Sequence, residues 1–498
     1  MNPTTRQHAQ SPELRGSWAS PGGCSLHELL ARHHVAGPAA PAAHLVGIGG
    51  AGMRALAEVM ADRGWTVSGS DLVVPADWGP RAGVRRVFPG HSAAHLPERL
   101  DVLVHTAAVN SGNPEVSAAS RRGVPAVTYF EAVGLLAAGR RTLAVAGTHG
   151  KSTTTAMLAH VMAADGREPT VFCGAAPRGA GSGGMAGGDG PVVVEACEYR
   201  RHFLMLTPSQ AAILNVEPDH FDCFPSVAEL ESAFCAFAAR LPRDGRLLIP
   251  GGCPRVRRMA ASAPCRVETF AVGAKADWQG RVLGVCGGRH RFRLVYGGEA
   301  LTEVVLPLPG RHNAENALAT AAIAWHEGVS PARIADSLAS FPGLRRRLEP
   351  VGVWRGVTIV DDYAHLPGEI RCALSAVRAM YPGRRLWCLF QPHQALRTAR
   401  LLDELADSLS NADKVLLAEV FRAREPPARS GDVRGADLAA RLRAVGREVP
   451  AVHEIPEILG GLEGWLCRGD VLLILGAGDV GKVADEFRQR IREDRAAG

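Results

Sequence analysis

Short apolar runs alternate with segments of helical period along most of this chain, the pattern of an α/β protein. Polar residues recur in one place, just past the apolar runs. HLVGIGGAGM, WTVSGSD, VLVHTAAV, TLAVAGTHGKS, VVVEACE, AAILNVEPDH, VTIVDDYAH, LWCLFQPH and DVLLILGAGD all share this form. Ligands of doubly wound sheets gather beyond the carboxyl ends of the strands. The pattern therefore predicts parallel sheets whose strand tips carry the chemistry. Three blocks are expected, at 43–140, 141–341 and 342–498, after a polar, Pro/Ala-rich stretch at 1–42 that reads as a mobile tail. Within that tail SLHELLARHH has the makings of one short helix. The second block holds a glycine-rich run at 179–190, expected to be a flexible insert, and a part richer in short strands at 271–308.

A chain of 498 residues is too long for one core and fits about three domains. The net charge of +6 is spread over many arginines instead of being collected in a block. That distribution argues against a nucleic-acid partner and suits acidic small-molecule substrates. The 11 cysteines form no CxxC pairs, so neither a disulfide framework nor a zinc site is indicated. They read as small buried hydrophobes in a reducing compartment. No apolar run reaches the ~18 residues needed to span a bilayer, and no signal peptide is visible. A cytoplasmic protein without a membrane partner is expected.

The run TLAVAGTHGKSTTT at 142–155 is the most informative. An apolar strand stops at Gly147, a glycine turn leads into Lys151 and Ser152, and a helix-like AMLAHVMAA follows. Backbone N–H groups in such a turn, backed by a helix N-terminus, cradle polyphosphate. The lysine supplies charge near the terminal phosphates and the serine hydroxyl can ligate Mg²⁺. The spacing is shorter than G-x-x-x-x-G-K-[ST], because Val145 stands five before Gly150.

Other strand ends carry further chemistry. In GIGGAGM, Gly47, Gly49 and Gly52 satisfy the dinucleotide spacing, and such a turn can seat any diphosphate. Asp71, in VSGSD, sits where a carboxylate meets a ribose or sugar hydroxyl. GAGDVGK at 476–482 lacks a following acid, so a phosphate seat and a plain structural turn are both open there. Glu195 ends a strongly apolar strand, a natural position for a hard-cation ligand. Asp219, His220 and Asp222 cluster past the next strand. Asn313 and Asn316, three apart in GRHNAENALAT, either read an adenine edge or cap a helix. Arg345, Arg346 and Arg347 either form a solvated surface or clamp phosphates.

Together these motifs resemble the ATP-dependent Mur ligases, over about residues 43–482. HLVGIGGAGM followed by SGSD points to the alanine-adding branch; GTHGKST, EACEYRRHF, DHFD, GRHNAEN, DDYAH and FQPH follow in the family's order. The resemblance implies an α/β protein of three domains. These are an N-terminal Rossmann-like UDP-sugar domain, a central P-loop ATPase domain with a mostly parallel sheet, and a C-terminal Rossmann-like α/β domain for ATP and the amino acid. It implies ligation of L-alanine to the lactyl carboxylate of UDP-N-acetylmuramate in peptidoglycan-precursor synthesis. ATP and Mg²⁺ are the implied cofactors, and the chain is expected to be a monomer or homodimer.

Residue by residue, the resemblance implies a catalytic set of Lys151, Glu195, His220, His365 and Arg397. It puts ATP on Gly147, Thr148, His149, Gly150, Lys151, Ser152 and Thr153. Asn313 and Asn316 would face adenine, with Tyr363 near it, Asp362 near ribose or metal, and Arg346 or Arg347 on phosphate. Mg²⁺ is implied at Ser152, Glu195 and His220. Gly49, Gly50, Ala51, Gly52, Met53, Ser70, Asp71 and His393 fall on the substrate side. Leu366, Gln394 and Arg345 depart from the family's usual histidine, arginine and glycine, which bears on amino-acid contacts more than on phosphate chemistry. Alternatives are a ligase recycling a preformed peptide onto the same sugar nucleotide, a NAD-dependent oxidoreductase built on the turns at Gly47 and Gly476, and a non-catalytic UDP-sugar-binding relative.

Overall fold

The structure, a computed structural model, describes residues 40–74, 83–110, 112–423, 425, 428–447, 449 and 452–497. The expected tail helix in SLHELLARHH lies outside the described residues. The chain divides into two compact units, one running to Ala138 (less 54–59) and the other from Gly139 onward.

In the first unit, β1 (Ala42–Val46), β2 (Thr66–Asp71), β3 (Val84–Pro89), β4 (Val102–His105) and β5 (Ala126–Thr128) form a sheet in the order β3-β2-β1-β4-β5. Every pairing is parallel. The order reverses beside β1, and the glycine turn at 47–50 leads from its tip into α1 (Ala51–Asp62). That is the switch point at which doubly wound sheets bind ligands.

The second unit carries two sheets among the described residues. The larger comprises β6 (Thr142–Ala146), β7 (Thr170–Phe172), β8 (Gly184–Met185), β9 (Val192–Glu195), β10 (Gln210–Ile213), β11 (Arg246–Pro250), β12 (Arg266–Val272), β13 (Trp278–Cys286), β14 (Arg289–Tyr296) and β15 (Glu299–Pro309). Its order is β15-β14-β13-β12-β11-β10-β6-β9-β7-β8, parallel from β13 through to β7 and antiparallel at both edges. The other comprises β16 (Glu349–Trp354), β17 (Val357–Asp362), β18 (Leu386–Phe390), β19 (Lys414–Ala418), β20 (Val452–His453) and β21 (Val471–Leu475), ordered β16-β17-β21-β18-β19-β20. Only β16 in it runs antiparallel.

Two expectations are corrected here. The strands at 271–308 are not short: β13, β14 and β15 have 9, 8 and 11 residues. Gly287–Gly288 and Gly297–Gly298 join them, all four at positive φ, the conformation that two-residue hairpin loops demand. Nor is the run at 179–190 a loose insert. Arg140 donates to the carbonyls of Gly188 and Gly190, at 2.8 and 2.7 Å, and β8 pairs with β7. A Cβ at Gly187 or Gly190 would strike the backbone oxygens of Glu168 and Arg167. These glycines serve close backbone approach, not freedom.

Five helices position the site: α2 (Lys151–Ala164), α3 (Arg311–His326), α4 (Pro367–Met380), α5 (Ala395–Arg400) and α6 (Gly481–Ala497). The start of α2, KSTTT, has poor helix propensity. Burial holds it: Met157, Leu158, Val161 and Met162 are fully enclosed, each contributing about 1.5–3 kcal/mol. The alanine-rich α3 packs along α2 and buries both of its asparagines.

Gly190→Ala is expected to destabilise the protein by about 1–3 kcal/mol through overpacking. Gly252→Ala, whose Cβ would meet nothing within 4 Å, should shift stability by less than about 0.5 kcal/mol. Urea unfolding of the two variants checks the pair.

Candidate active site

The loop between β6 and α2 is shaped by two left-handed glycines, Gly147 at φ +135° and Gly150 at φ +78°. A Cβ on Gly150 would sit 2.6 Å from Asn316 Oδ1, and one on Gly147 would press on the backbone of Leu214 and Asn215. Asn215, two residues past β10, braces the turn. Its Oδ1 accepts from the His149 N–H at 2.7 Å and its Nδ2 donates to the His149 carbonyl at 3.1 Å. Thr148 Oγ1 donates to the Glu217 carbonyl and accepts from the Glu217 N–H. The loop is thus locked to the neighbouring strand tip, with α2 beginning immediately behind it.

Lys151 is tethered within the loop. Its Nζ donates to the carbonyls of Gly147 and Thr148 and to Glu198, at 2.5, 3.1 and 3.0 Å. Burial alone would depress the ammonium, but Glu198 and the neighbouring Cys197 and Glu195 outweigh it and hold it above the usual lysine range. Ser152 Oγ donates to Glu195 Oε1 at 2.9 Å, while Glu195 Oε2 accepts from the Gly174 N–H at 2.7 Å. His220 Nε2 lies 3.7 Å from both Glu198 and Asp219. Its φ of +52° costs about 1–2 kcal/mol for a residue with a Cβ. Among the described residues no group of three or more His, Cys, Asp or Glu side chains is placed to cage an ion. A serine hydroxyl beside a carboxylate instead suits Mg²⁺, which binds through one or two carboxylates and takes its remaining oxygens from phosphate and water.

Beside the loop opens a cavity of about 420 Å³. Gly150 and Thr153 line it, with Asn313 and Asn316 from α3 and Arg347 and Asp362 from the C-terminal side. Asn313 Nδ2 donates to the Pro309 carbonyl at 2.7 Å, and Asn316 Nδ2 lies 3.4 Å from Asn313 Oδ1. Asp362 spends both oxygens on backbone, accepting from Leu348 N–H at 2.6 Å and Ala364 N–H at 2.8 Å. The two arginines part company. Arg347 faces the cavity, whereas Arg346 turns toward the C-terminal sheet, donating to the Gly476 carbonyl at 2.6 Å with Asp361 3.8 Å away. Tyr363 lies under both guanidinium groups, 5.1 Å from each, and does not line the cavity. The 476–482 turn is braced by Arg346 and by Gln391, which bonds Asp479 and the Val480 N–H. Its structural reading is the one the packing supports.

His365, His393 and Arg397 gather at the tips of β17 and β18. The rings of His365 and His393 are 5.7 Å apart, and Arg397 donates to His393 Nδ1 at 2.9 Å. Arg397 is itself buried against Asp219, 2.8 Å away, across from β10. Burial, more than the opposing pull of Glu369 or the push of Arg397, drives His365 down to about 4. Leu366 is buried just before α4, and Gln394 adopts φ +67° at the start of α5.

In the first unit, Asp71 accepts from the Gly49 N–H at 2.8 Å, so it shapes the glycine turn directly. The Ser70 carbonyl accepts from the N–H groups of Gly47 and Ile48. Gly50 and Ala51 are exposed at the turn, and Gly52 abuts Tyr129. Met53 and Ser70 are buried, and Ser70 Oγ donates inward to Glu115 at 2.5 Å. Burial would raise the Glu115 carboxyl, but His44, Ser70, the Ser92 N–H and His95 together bring it down to about 2.

Sequence reasoning did not single out Asn215, Glu198, Glu217, Glu369 or Glu115. Asn215 and Glu217 lie past an apolar run and were within reach of the strand-tip rule. Glu198 lies three residues past the strand end at Glu195, where a second acid facing a buried lysine carries no periodic signal. Glu369 stands in the first turn of α4, where an acid is ordinary.

Comparison with known proteins gives one consistent result. The description "Mur ligase family, catalytic domain" matches residues 42–141, "Mur ligase middle domain" 185–324, and "Mur ligase, glutamate ligase domain" 346–478. A UDP-N-acetylmuramate–L-alanine ligase of Chlorobium phaeobacteroides is 39% identical over 455 residues, covering 91% of this chain and 98% of that protein. One from Salinibacter ruber is 38% identical, covering 91% of this chain and 95% of its own. Among solved structures, the UDP-N-acetylmuramate–alanine ligase of Thermotoga maritima superposes with a TM-score of 0.74 at 28% identity, covering 91% of this chain and 99% of that one.

Gly150→Ala forces a Cβ against Asn316 and a left-handed backbone on alanine. It should weaken adenine-nucleotide binding at least about tenfold without unfolding the protein. Calorimetric titration alongside a thermal melt checks this.

Proposed function

The chain belongs to the Mur ligase family, and we propose that it joins L-alanine to the lactyl carboxylate of UDP-N-acetylmuramate with cleavage of ATP, in peptidoglycan-precursor synthesis. The observation that carries this reading is the loop at 147–152, with Lys151 and the Ser152–Glu195 pair on one side and the asparagine-lined cavity on the other. The relatives at 38–39% identity across nine-tenths of the chain support the substrate assignment. Blocks 43–140, 141–341 and 342–498 are the proposed seats of the sugar nucleotide, of ATP, and of the amino acid together with part of the ATP site.

A carboxylate and an amine do not condense in water, because oxide is too poor a leaving group. In the proposed reaction a carboxylate oxygen attacks the γ-phosphorus and the bond to ADP breaks, leaving an acyl phosphate. The neutral alanine amine then attacks the acyl carbon. Collapse of the tetrahedral adduct expels phosphate, which carries away the oxygen that came from the carboxylate. The protein's work is positioning and charge neutralisation.

Loop N–H groups and the N-terminus of α2 receive the phosphates. Lys151 exchanges Glu198 for phosphate oxygen, so its charge is already dehydrated when the nucleotide arrives. Arg347 adds a second fixed cation from the opposite wall. Asn313 and Asn316 offer amide groups to the adenine edge. Ser152 and Glu195, with His220 alongside, are the residues that would hold Mg²⁺, which when bound would supply neutralisation of phosphate charge. His365, held near 4, meets the substrates as a neutral imidazole and adds no positive charge beside the incoming amine. The glycine turn shaped by Asp71 is the proposed seat of the UDP diphosphate.

Phosphate release with UDP-N-acetylmuramate, ATP and each amino acid in turn should be fastest with L-alanine. Turnover only with a preformed peptide would instead assign the chain to peptide recycling. With ¹⁸O in the lactyl carboxylate, one label should appear in the released phosphate. Lys151→Ala should lower turnover by about 10²–10³-fold while calorimetric binding of UDP-N-acetylmuramate is unchanged.

A further inference from the structure

The phosphate-loop histidine is wedged between two carboxylates whose segments follow strands of different sheets. His149 Nε2 lies 3.0 Å from Glu217 Oε2, just past β10 of the central sheet. Its Nδ1 lies 3.2 Å from Glu369 Oε1, in the first turn of α4 on the C-terminal side. The Glu369 contact is an ion pair without the alignment of a hydrogen bond. Glu369 is also the hub of its own side. It accepts from the N–H groups of His365 and Leu366, at 3.0 and 3.3 Å, and stands 4.0 Å from Arg347. Both carboxylates and the histidine line the cavity assigned above to the nucleotide.

We propose that His149 and Glu369 form an electrostatic latch that docks the C-terminal side onto the phosphate loop, acting as positioning residues for closure of the nucleotide cavity. The proposal rests on the ATP reading of that cavity and deepens it. The Glu369 contact exists only while β17 and α4 are seated against β6 and β10, since the loop of His149 follows β6 of one sheet and α4 follows β17 of the other. A second tie, Arg397 to Asp219, crosses the same divide. Arginine does not titrate in proteins, so that tie keeps its cation at any ordinary pH, whereas the histidine tie is conditional.

The groups facing His149 decide how it titrates. Glu217 lies past β10, Glu369 is on α4, and Arg347, Arg371 and His312 line the same cavity. Burial alone would lower the imidazole, but Glu369 first and Glu217 next push it up to about 9. His312 remains neutral, held down to about 4 chiefly by burial. With the folded value raised, the latch is at full strength below the free-histidine value of about 6.5 and is lost as pH rises through about 9. A neutral imidazole would leave Glu369 facing Glu217 with one cation fewer between them.

A double-mutant cycle tests the latch in the ligand-free protein. At pH 7, His149→Gln and Glu369→Gln should each lower amide protection of residues 365–372 about tenfold, and the double variant no further than the worse single. Additive losses, or no loss, would overturn the proposal. This readout needs no ligand, so it stands apart from alanine-dependent phosphate release, whose failure would refute the ligase reading alone. In turnover, wild-type KM for ATP should climb as pH passes about 9, while His149→Gln starts high and stays flat. A His149→Gln profile that still climbs in parallel with wild type would also overturn it. Glu369→Gln serves as the second variant should His149→Gln fold poorly.

Discussion

Charge balance around the loop at 147–152 is the constraint on which the rest of the second unit depends. Carboxylates crowd this small volume: Glu195, Glu198, Asp219, Glu217 and Glu369. Lys151, His149, Arg347 and Arg397 interleave with them. Buried charges persist only when paired, and most of these pairs join residues far apart in the chain. The cost of breaking one is large because it strands its partner. The site is therefore held in register by the same ions that a polyphosphate would later reorganise.

That arrangement explains why the fold places its loops as it does. Parallel strands β6, β9 and β10 end at one edge, bringing Gly147, Glu195 and Asn215 within reach of one another. In the other sheet β17, β18 and β21 do the same for Asp362, Gln391 and Gly476. The two edges meet at the cavity. Close backbone packing needs small residues, hence glycine at 147 and 150 and alanine along α3. Helix α2 tolerates its threonines because tertiary burial outweighs propensity.

Much of this was legible before the structure. All nine apolar runs with polar tips are strands, because strands buried on both faces read as continuous hydrophobic segments. The loop with Lys151 and Ser152, and the meeting of Ser152 with Glu195, followed from the same rule. What escaped was pairing between distant residues. Glu369 looks like any acid at a helix start, and Glu198 like any acid in a polar turn. Nothing local distinguishes Arg347, which faces the cavity, from Arg346, whose φ of +55° turns it away. The glycines at 179–190 suggested freedom, whereas the neighbours of Gly183, Gly184, Gly187 and Gly190 require the missing Cβ. Gly-Gly pairs at 287–288 and 297–298 were hairpin signals that a reading based on run length passed over.

The most direct measurement is a crystal structure of the full chain soaked with magnesium and a nonhydrolysable ATP analogue. The expected density places the triphosphate on the N–H groups of the loop at 147–152, Lys151 released from Glu198 to phosphate, and the metal touching Ser152 and Glu195. An empty loop with the nucleotide elsewhere, or Lys151 still bound to Glu198 beside an occupied cavity, would contradict this placement.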